Sequence, residues 1–156
     1  MKPKVAKVAS PAAIAVLRQA TALWPKRKRL SDGLLPSAAH LKENPNSDHN
    51  TGLAADLTHD PKNGVDCAAI YELLKEDGRV SYLIFDGKIW SKQRGDRVYT
   101  GSNKHEKHLH ISIKPEFAKD TSSWFGSMGG AKRFGRAKAR LVRKPKKKDI
   151  PSPKED

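Results

Sequence analysis

The chain of 156 residues has a single cysteine, Cys67. That excludes an intramolecular disulfide scaffold and any zinc finger built on several cysteines. It has no apolar run of about 18 residues, so no membrane-spanning helix is expected. Acidic residues are scarce, 17 against 31 Lys plus Arg, giving a formal net charge of +14. Hydrophobic residues at 37% suffice for one modest core. That is too polar for a membrane protein and too apolar for disorder throughout.

The basic excess is uneven. Residues 131–156 carry 11 Lys plus Arg and 3 acidic residues. Such a block repels itself and buries little apolar surface, so residues 127–156 read as a flexible basic tail after Gly126. The charge suits an anionic polymer, a cell-wall polymer as well as a nucleic acid. A nucleic-acid role is the weaker reading, because the tail interleaves no aromatic beyond Phe134 and no nucleic-acid motif is present. At the other end, Lys2, Lys4 and Lys7 precede the apolar stretch Val8 to Leu17. Pro11, Arg18 and the lack of a cleavage site favour a helix over a secretory signal. Ser10 is its N-cap, Pro11 its first residue and Pro25 its stop, with Ile14, Leu17, Thr21 and Trp24 on one face.

Residues 25–48 read as loop, and 53–58 (LAADLT) as a short strand. Residues 65–77 (VDCAAIYELLKED) read as a helix with Ile70, Leu73 and Leu74 inward and Gly78 at its stop. Cys67 on it is a buried, inert thiol, since nothing nearby lowers its pKa. Val80 to Phe85, Asp86-Gly87 and Lys88 to Ser91 form a hairpin signal. Residues 108–113 (HLHISI) alternate, placing His108, His110 and Ser112 on one face and Leu109, Ile111 and Ile113 on the other. Strands joined by hairpins favour a small antiparallel sheet with flanking helices, an α+β fold.

The histidines carry the chemistry. Of six, three fall at 105, 108 and 110. A polar face bearing His108 and His110 suits a metal or acid–base site. The second cluster is Ser47 to Leu57. Asp56 lies there between Ala55 and Leu57, where a carboxylate is costly unless paired or bound to a cation. A catalytic zinc takes three ligands from His and Asp or Glu. His49, Asp56 and one histidine of 105–110 supply such a set, and Gly52, Ala54 and Ala55 allow close approach. His40 and His59 read as surface or supporting residues. Trp90, Tyr99 and Trp124 read as core or cleft-wall aromatics.

The segment S-x-H-x-x-G-x-A-x-D-L at 47–57, with H-x-H at 108–110, resembles the zinc D-Ala-D-Ala carboxypeptidase family. That family includes phage L-alanyl-D-glutamate endopeptidases, a murein endopeptidase and the Hedgehog signalling domain. The similarity covers roughly residues 10–125. It implies a Hedgehog-like zinc peptidase domain over residues 1–126. It implies Zn2+ held by His49, Asp56 and His110, with a metal-activated water, and a peptidoglycan peptide as substrate. The scissile bond is of the D-Ala-D-Ala or the L-Ala-D-Glu type. Many relatives carry an acidic base three residues before the last ligand; Lys107 stands there in this chain. The arrangement His105, His108, His110 resembles instead the murein-endopeptidase branch. In that branch His108 and His105 handle the proton and the oxyanion, and Glu106 is the fallback base if the strand extends that far. Ser112 would support His110. A monomer is expected, made in the cytoplasm and acting on the wall after release through membrane holes. A zinc-binding but inactive relative is the alternative that Lys107 keeps open.

Overall fold

In the computed structural model residues 4–126 and Met128 are described; the rest of the basic tail expected at 127–156 lies outside the described residues. Helix α1 spans Pro11–Leu23. Ser10 caps it, its Oγ accepting from Ala13 N at 3.2 Å, and proline occupies the first turn where an N–H has no helical partner. Its buried face differs from the expected one. Ala12, Ala13, Val16, Ala20 and Leu23 are buried, whereas Ile14, Leu17 and Thr21 are only half-buried. Alanine weighs little in a hydrophobic pattern, yet its small side chain lets the helix lie close against the sheet. Thr21 is turned to polar use, donating to the Leu17 carbonyl and accepting from Arg27 Nε.

A short helix, α2 (Ala38–Glu43), interrupts the expected loop, and a 3-10 turn follows at Asp48–Thr51. Strand β1 is Ala54–Thr58. Helix α3 is Cys67–Leu74, shorter than the pattern suggested, with Asp66 as N-cap accepting from Ala68 N and Ala69 N. Cys67, Ile70, Tyr71 and Leu74 face inward; Leu73 is only half-buried, so the inward face is turned toward Tyr71. Gly78 sits in the turn beyond the helix end.

The hairpin is present as β2 (Val80–Phe85) and β3 (Lys88–Ser91). Asp86 and Gly87 both have positive φ, 48° and 77°, as a two-residue hairpin loop requires. A fourth strand, β4 (Gly95–Val98), forms where the sequence pattern predicts none. Its sequence GDRV offers only one apolar residue, and Val98 is 80% exposed on this edge strand. Strand β5 is His108–Ile113. The five strands form one antiparallel sheet in the order β1-β5-β2-β3-β4.

The α+β expectation therefore holds, and the sheet separates core from chemistry. One face packs Leu57, Leu83, Leu109, Ile111 and Ile113 against α1 and α3, closed by Trp124 and Phe125. Each fully buried aliphatic side chain contributes about 1.5–3 kcal/mol, so this face fixes the register of β1 and β5. In that register Asp56 lies directly opposite His110. A slip of one residue would send Leu109 and Ile111 to the polar face, so the packing that stabilises the sheet also pairs the two polar groups.

Candidate metal centre

His49 sits on the 3-10 turn. Ser47 Oγ accepts its N–H, and Gly52 closes the turn at φ 75°. A side chain at Gly52 would meet the Val8 carbonyl at 3.0 Å, so the position demands glycine twice over. His49 Nδ1 donates to the Leu34 carbonyl at 2.7 Å, leaving Nε2 directed at Asp56 Oδ2, 3.1 Å away. From the other side His110 Nδ1 lies 3.2 Å from Asp56 Oδ1, and its Nε2 meets Ser112 Oγ at 2.9 Å. The ligand atoms of His49, Asp56 and His110 all lie within 4.8 Å of one another. Both imidazoles are buried, and the Tyr82 ring stacks on His110 at 5.4 Å.

The donor set fits a cation. Because Nδ1 of His49 carries its proton to Leu34, a neutral His49 turns the lone pair of Nε2 toward a carboxylate oxygen. That arrangement is repulsive unless positive charge lies between them, either a proton or a metal ion. Burial opposes ionisation of Asp56, yet hydrogen bonds from His110 and His49 outweigh it and hold the carboxyl well below its usual range. Burial depresses His49, but the hydrogen bond and charge of Asp56 raise it overall. These three residues could hold a metal ion, and two of their outer nitrogens are already oriented by Leu34 and Ser112.

A cleft of about 460 Å³ opens over this group, lined among others by His40, Glu43, Tyr82, Tyr99, Asn103 and His105. His105 has a left-handed backbone, φ 58°, and its Nδ1 donates to the Asn103 carbonyl at 2.8 Å. Its ring lies 4.9 Å from that of His108 and 5.8 Å from that of His110. Burial and the neighbouring His108 and His110 depress it to about 4, so it is neutral at pH 7 with Nε2 free to accept. His108 Nε2 lies 3.7 Å from Asp56 Oδ1, and burial depresses this ring also. His108 lines an adjoining cavity with Ser31, Glu106 and Lys107 rather than the cleft itself.

The condition for Glu106 is not met. β5 begins at His108, and Glu106 is exposed in a bend before it. His40, read as a surface or supporting residue, lines the cleft with Nε2 3.0 Å from Ser47 Oγ and its ring 5.5 Å from that of His49. His59 serves the other side of the sheet, accepting from Cys67 N and resting on Phe85. Tyr99 is a cleft-wall aromatic against His105, Trp90 packs partly on the core, and Trp124 is buried in it. Tyr82 and the Leu34 carbonyl escaped sequence reading. Tyr82 looks like any strand aromatic, and a backbone carbonyl leaves no trace in side-chain identity. Among the described residues no helix is long and apolar enough to cross a membrane. Comparison with protein-family models, curated proteins and solved structures finds no match to this chain.

Proposed function

We propose that the chain is a zinc-dependent peptidase that hydrolyses peptidoglycan peptides, of the Hedgehog-like D-Ala-D-Ala carboxypeptidase type that its two motifs resemble. The observation carrying this reading is the meeting of those motifs. Asp56 and His110 stand 54 residues apart in sequence, yet with His49 they bring three ligand atoms within 4.8 Å under an open polar cleft.

His49 Nε2, Asp56 and His110 Nδ1 would hold the zinc. When bound, zinc supplies a water of lowered pKa and polarises the scissile carbonyl. The chain's own residues do the rest. The Leu34 carbonyl and Ser112 hold the two imidazole rings in place. His105, with its proton fixed on Nδ1, accepts the nucleophile's proton at Nε2. His108, whose ring meets that of His105 edge to face, shares the handling of the proton and the oxyanion. Lys107, standing where many relatives carry an acid, is exposed and lies outside this arrangement.

The test is digestion of purified peptidoglycan followed by mass spectrometry of the released peptides, with metal content measured alongside. His49→Ala, Asp56→Ala and His110→Ala should lose both metal and peptide release. His105→Ala and His108→Ala should keep metal and lose about 100-fold or more in rate. The masses assign the bond, D-Ala-D-Ala or L-Ala-D-Glu. Undiminished release by all three ligand variants would refute the mechanism. Bound metal with no release from wild type would favour an inactive zinc-binding relative, as the Lys107 departure suggests.

A further inference from the structure

We propose that Ser31–Leu34 is a positioning strap for the metal centre, and that Gly33 within it controls metal affinity without being a ligand. The inference rests on the metal-centre reading above. β1 is an edge strand, and its free edge is covered opposite Asp56 by a single antiparallel bridge to Gly33. Gly33 N–H donates to the Asp56 carbonyl at 3.1 Å, and Asp56 N–H donates to the Gly33 carbonyl at 2.8 Å. The next carbonyl, Leu34, is the acceptor that orients His49 at 2.7 Å. Two consecutive strap residues thus grip two of the three ligands, one through its backbone and one through its ring.

The strap is itself anchored. Asp32 accepts from Thr58 N at 3.0 Å and from Thr58 Oγ1 at 2.7 Å. It also receives both terminal nitrogens of Arg27, at 3.0 and 2.7 Å. The Arg27 side chain is 1% exposed and reaches back to Thr21 on α1. Ser31 N–H adds a bond to Thr58 Oγ1 at 3.0 Å. The anchor therefore ties the strap to β1 and to α1, leaving it little freedom to yield.

That rigidity makes the missing side chain at Gly33 decisive. A Cβ there would stand 3.0 Å from Asp56 Oδ2, so something must give by a few tenths of an ångström. The Asp56 carboxylate cannot give freely, being held by His49 at 3.1 Å and His110 at 3.2 Å. A shift of that size exceeds the tolerance of about 0.2 Å within which metal–ligand distances are kept. Hydrogen bonds that orient ligands from behind are worth about 10–100-fold in metal affinity, which sets the scale expected here.

The experiment compares full-length wild type, Gly33→Ala, Asp32→Asn and Gly78→Ala. Gly78 has open space around its Cβ position and serves as the control. Zn2+ affinity is measured by competition with a chromophoric chelator, and the Co2+-loaded protein is examined by visible absorption. Circular dichroism of the metal-free forms reports folding. Gly33→Ala should bind Zn2+ about 10-fold more weakly or worse and change the Co2+ spectrum, while Gly78→Ala matches wild type. Asp32→Asn, which loosens the anchor but keeps Gly33, should weaken Zn2+ in the same direction and stands in if Gly33→Ala does not fold. Wild-type Zn2+ affinity and an unaltered Co2+ spectrum in a folded Gly33→Ala, or in Asp32→Asn standing in for it, would overturn the strap. A wild type that binds no metal would overturn the metal centre and the strap together. Metal binding without peptidase activity would strike only the proposed reaction.

Discussion

Adding Zn2+ to the metal-free protein should raise its melting temperature by about 10 °C, and the effect should vanish in Asp56→Asn. The three residues that could hold the ion sit on separate elements. His49 lies on a 3-10 turn, Asp56 on an edge strand and His110 on the strand beside it, 54 residues beyond Asp56. The unfolded chain has no such site, so the metal binds the folded state almost alone. At a free Zn2+ concentration 100 times Kd, this linkage contributes about 2.7 kcal/mol. Unfolding entropy is about 2.1 cal/mol/K per residue, or roughly 250 cal/mol/K for about 120 residues, the described part of the chain. Their ratio gives a shift of about 10 °C. The assay is differential scanning calorimetry at neutral pH, with and without Zn2+. Asp56→Asn is nearly isosteric but removes the one anionic ligand, so a shift of about 2 °C or less is expected from the same linkage relation. An equal shift in that variant would mean that Zn2+ binds elsewhere, for example at the half-buried His40, His59 or His105. No shift in wild type would refute the site.

Two further outcomes follow from groups outside the ligand set. Burial tends to raise the Asp32 carboxyl, but the hydrogen bonds from Arg27 and Thr58 outweigh it and depress the group below its usual value. Its contribution is therefore complete above the ordinary carboxylate value of about 3.9 and is lost as pH falls through the lower folded value. Asp32→Asn strands the buried Arg27 charge and should cost about 3 kcal/mol at pH 7. In urea titrations of the metal-free protein the gap to wild type should narrow at pH 3 and below; a constant gap would contradict the assignment. Cys67 is buried, its Sγ donating to the Leu57 carbonyl, and burial pushes its thiol up to about 12. It should resist thiol reagents at pH 8 in native protein and react fully in urea, so a native rate matching a free thiol would show that this region opens.

The crowding of imidazoles explains why the cleft is poised rather than merely polar. His105 and His108 are depressed by burial and by their neighbours, whereas His49 is raised by the carboxylate it faces. The same side chain thus has two characters within one cluster of imidazoles. The carboxylate favours the charged form of His49, whereas burial and neighbouring imidazoles favour the neutral form of His105 and His108.

Local sequence determined α1, α3, β1, the hairpin and β5, and their polarity. Ser10-Pro11 starts α1, Asp86-Gly87 turns the hairpin, and HLHISI alternates because a strand has a period of two. Those signals act over a few residues, so they survive without knowledge of the fold. They also separate His110 and Ser112 from the core before any contact is known. Tertiary structure decided everything that joins distant segments. It set the alanine-rich face of α1 as the inward one, since close approach to a sheet rewards small side chains rather than hydrophobic ones. It added β4, which pairs through its backbone with little apolar help. It laid Gly33 against Asp56 and aimed the Leu34 carbonyl at His49, contacts made by backbone atoms common to every residue. Side-chain identity names the residues able to bind a metal, but only the register of β1 on β5 brings Asp56 opposite His110, and register is set by the apolar face on the other side of the sheet.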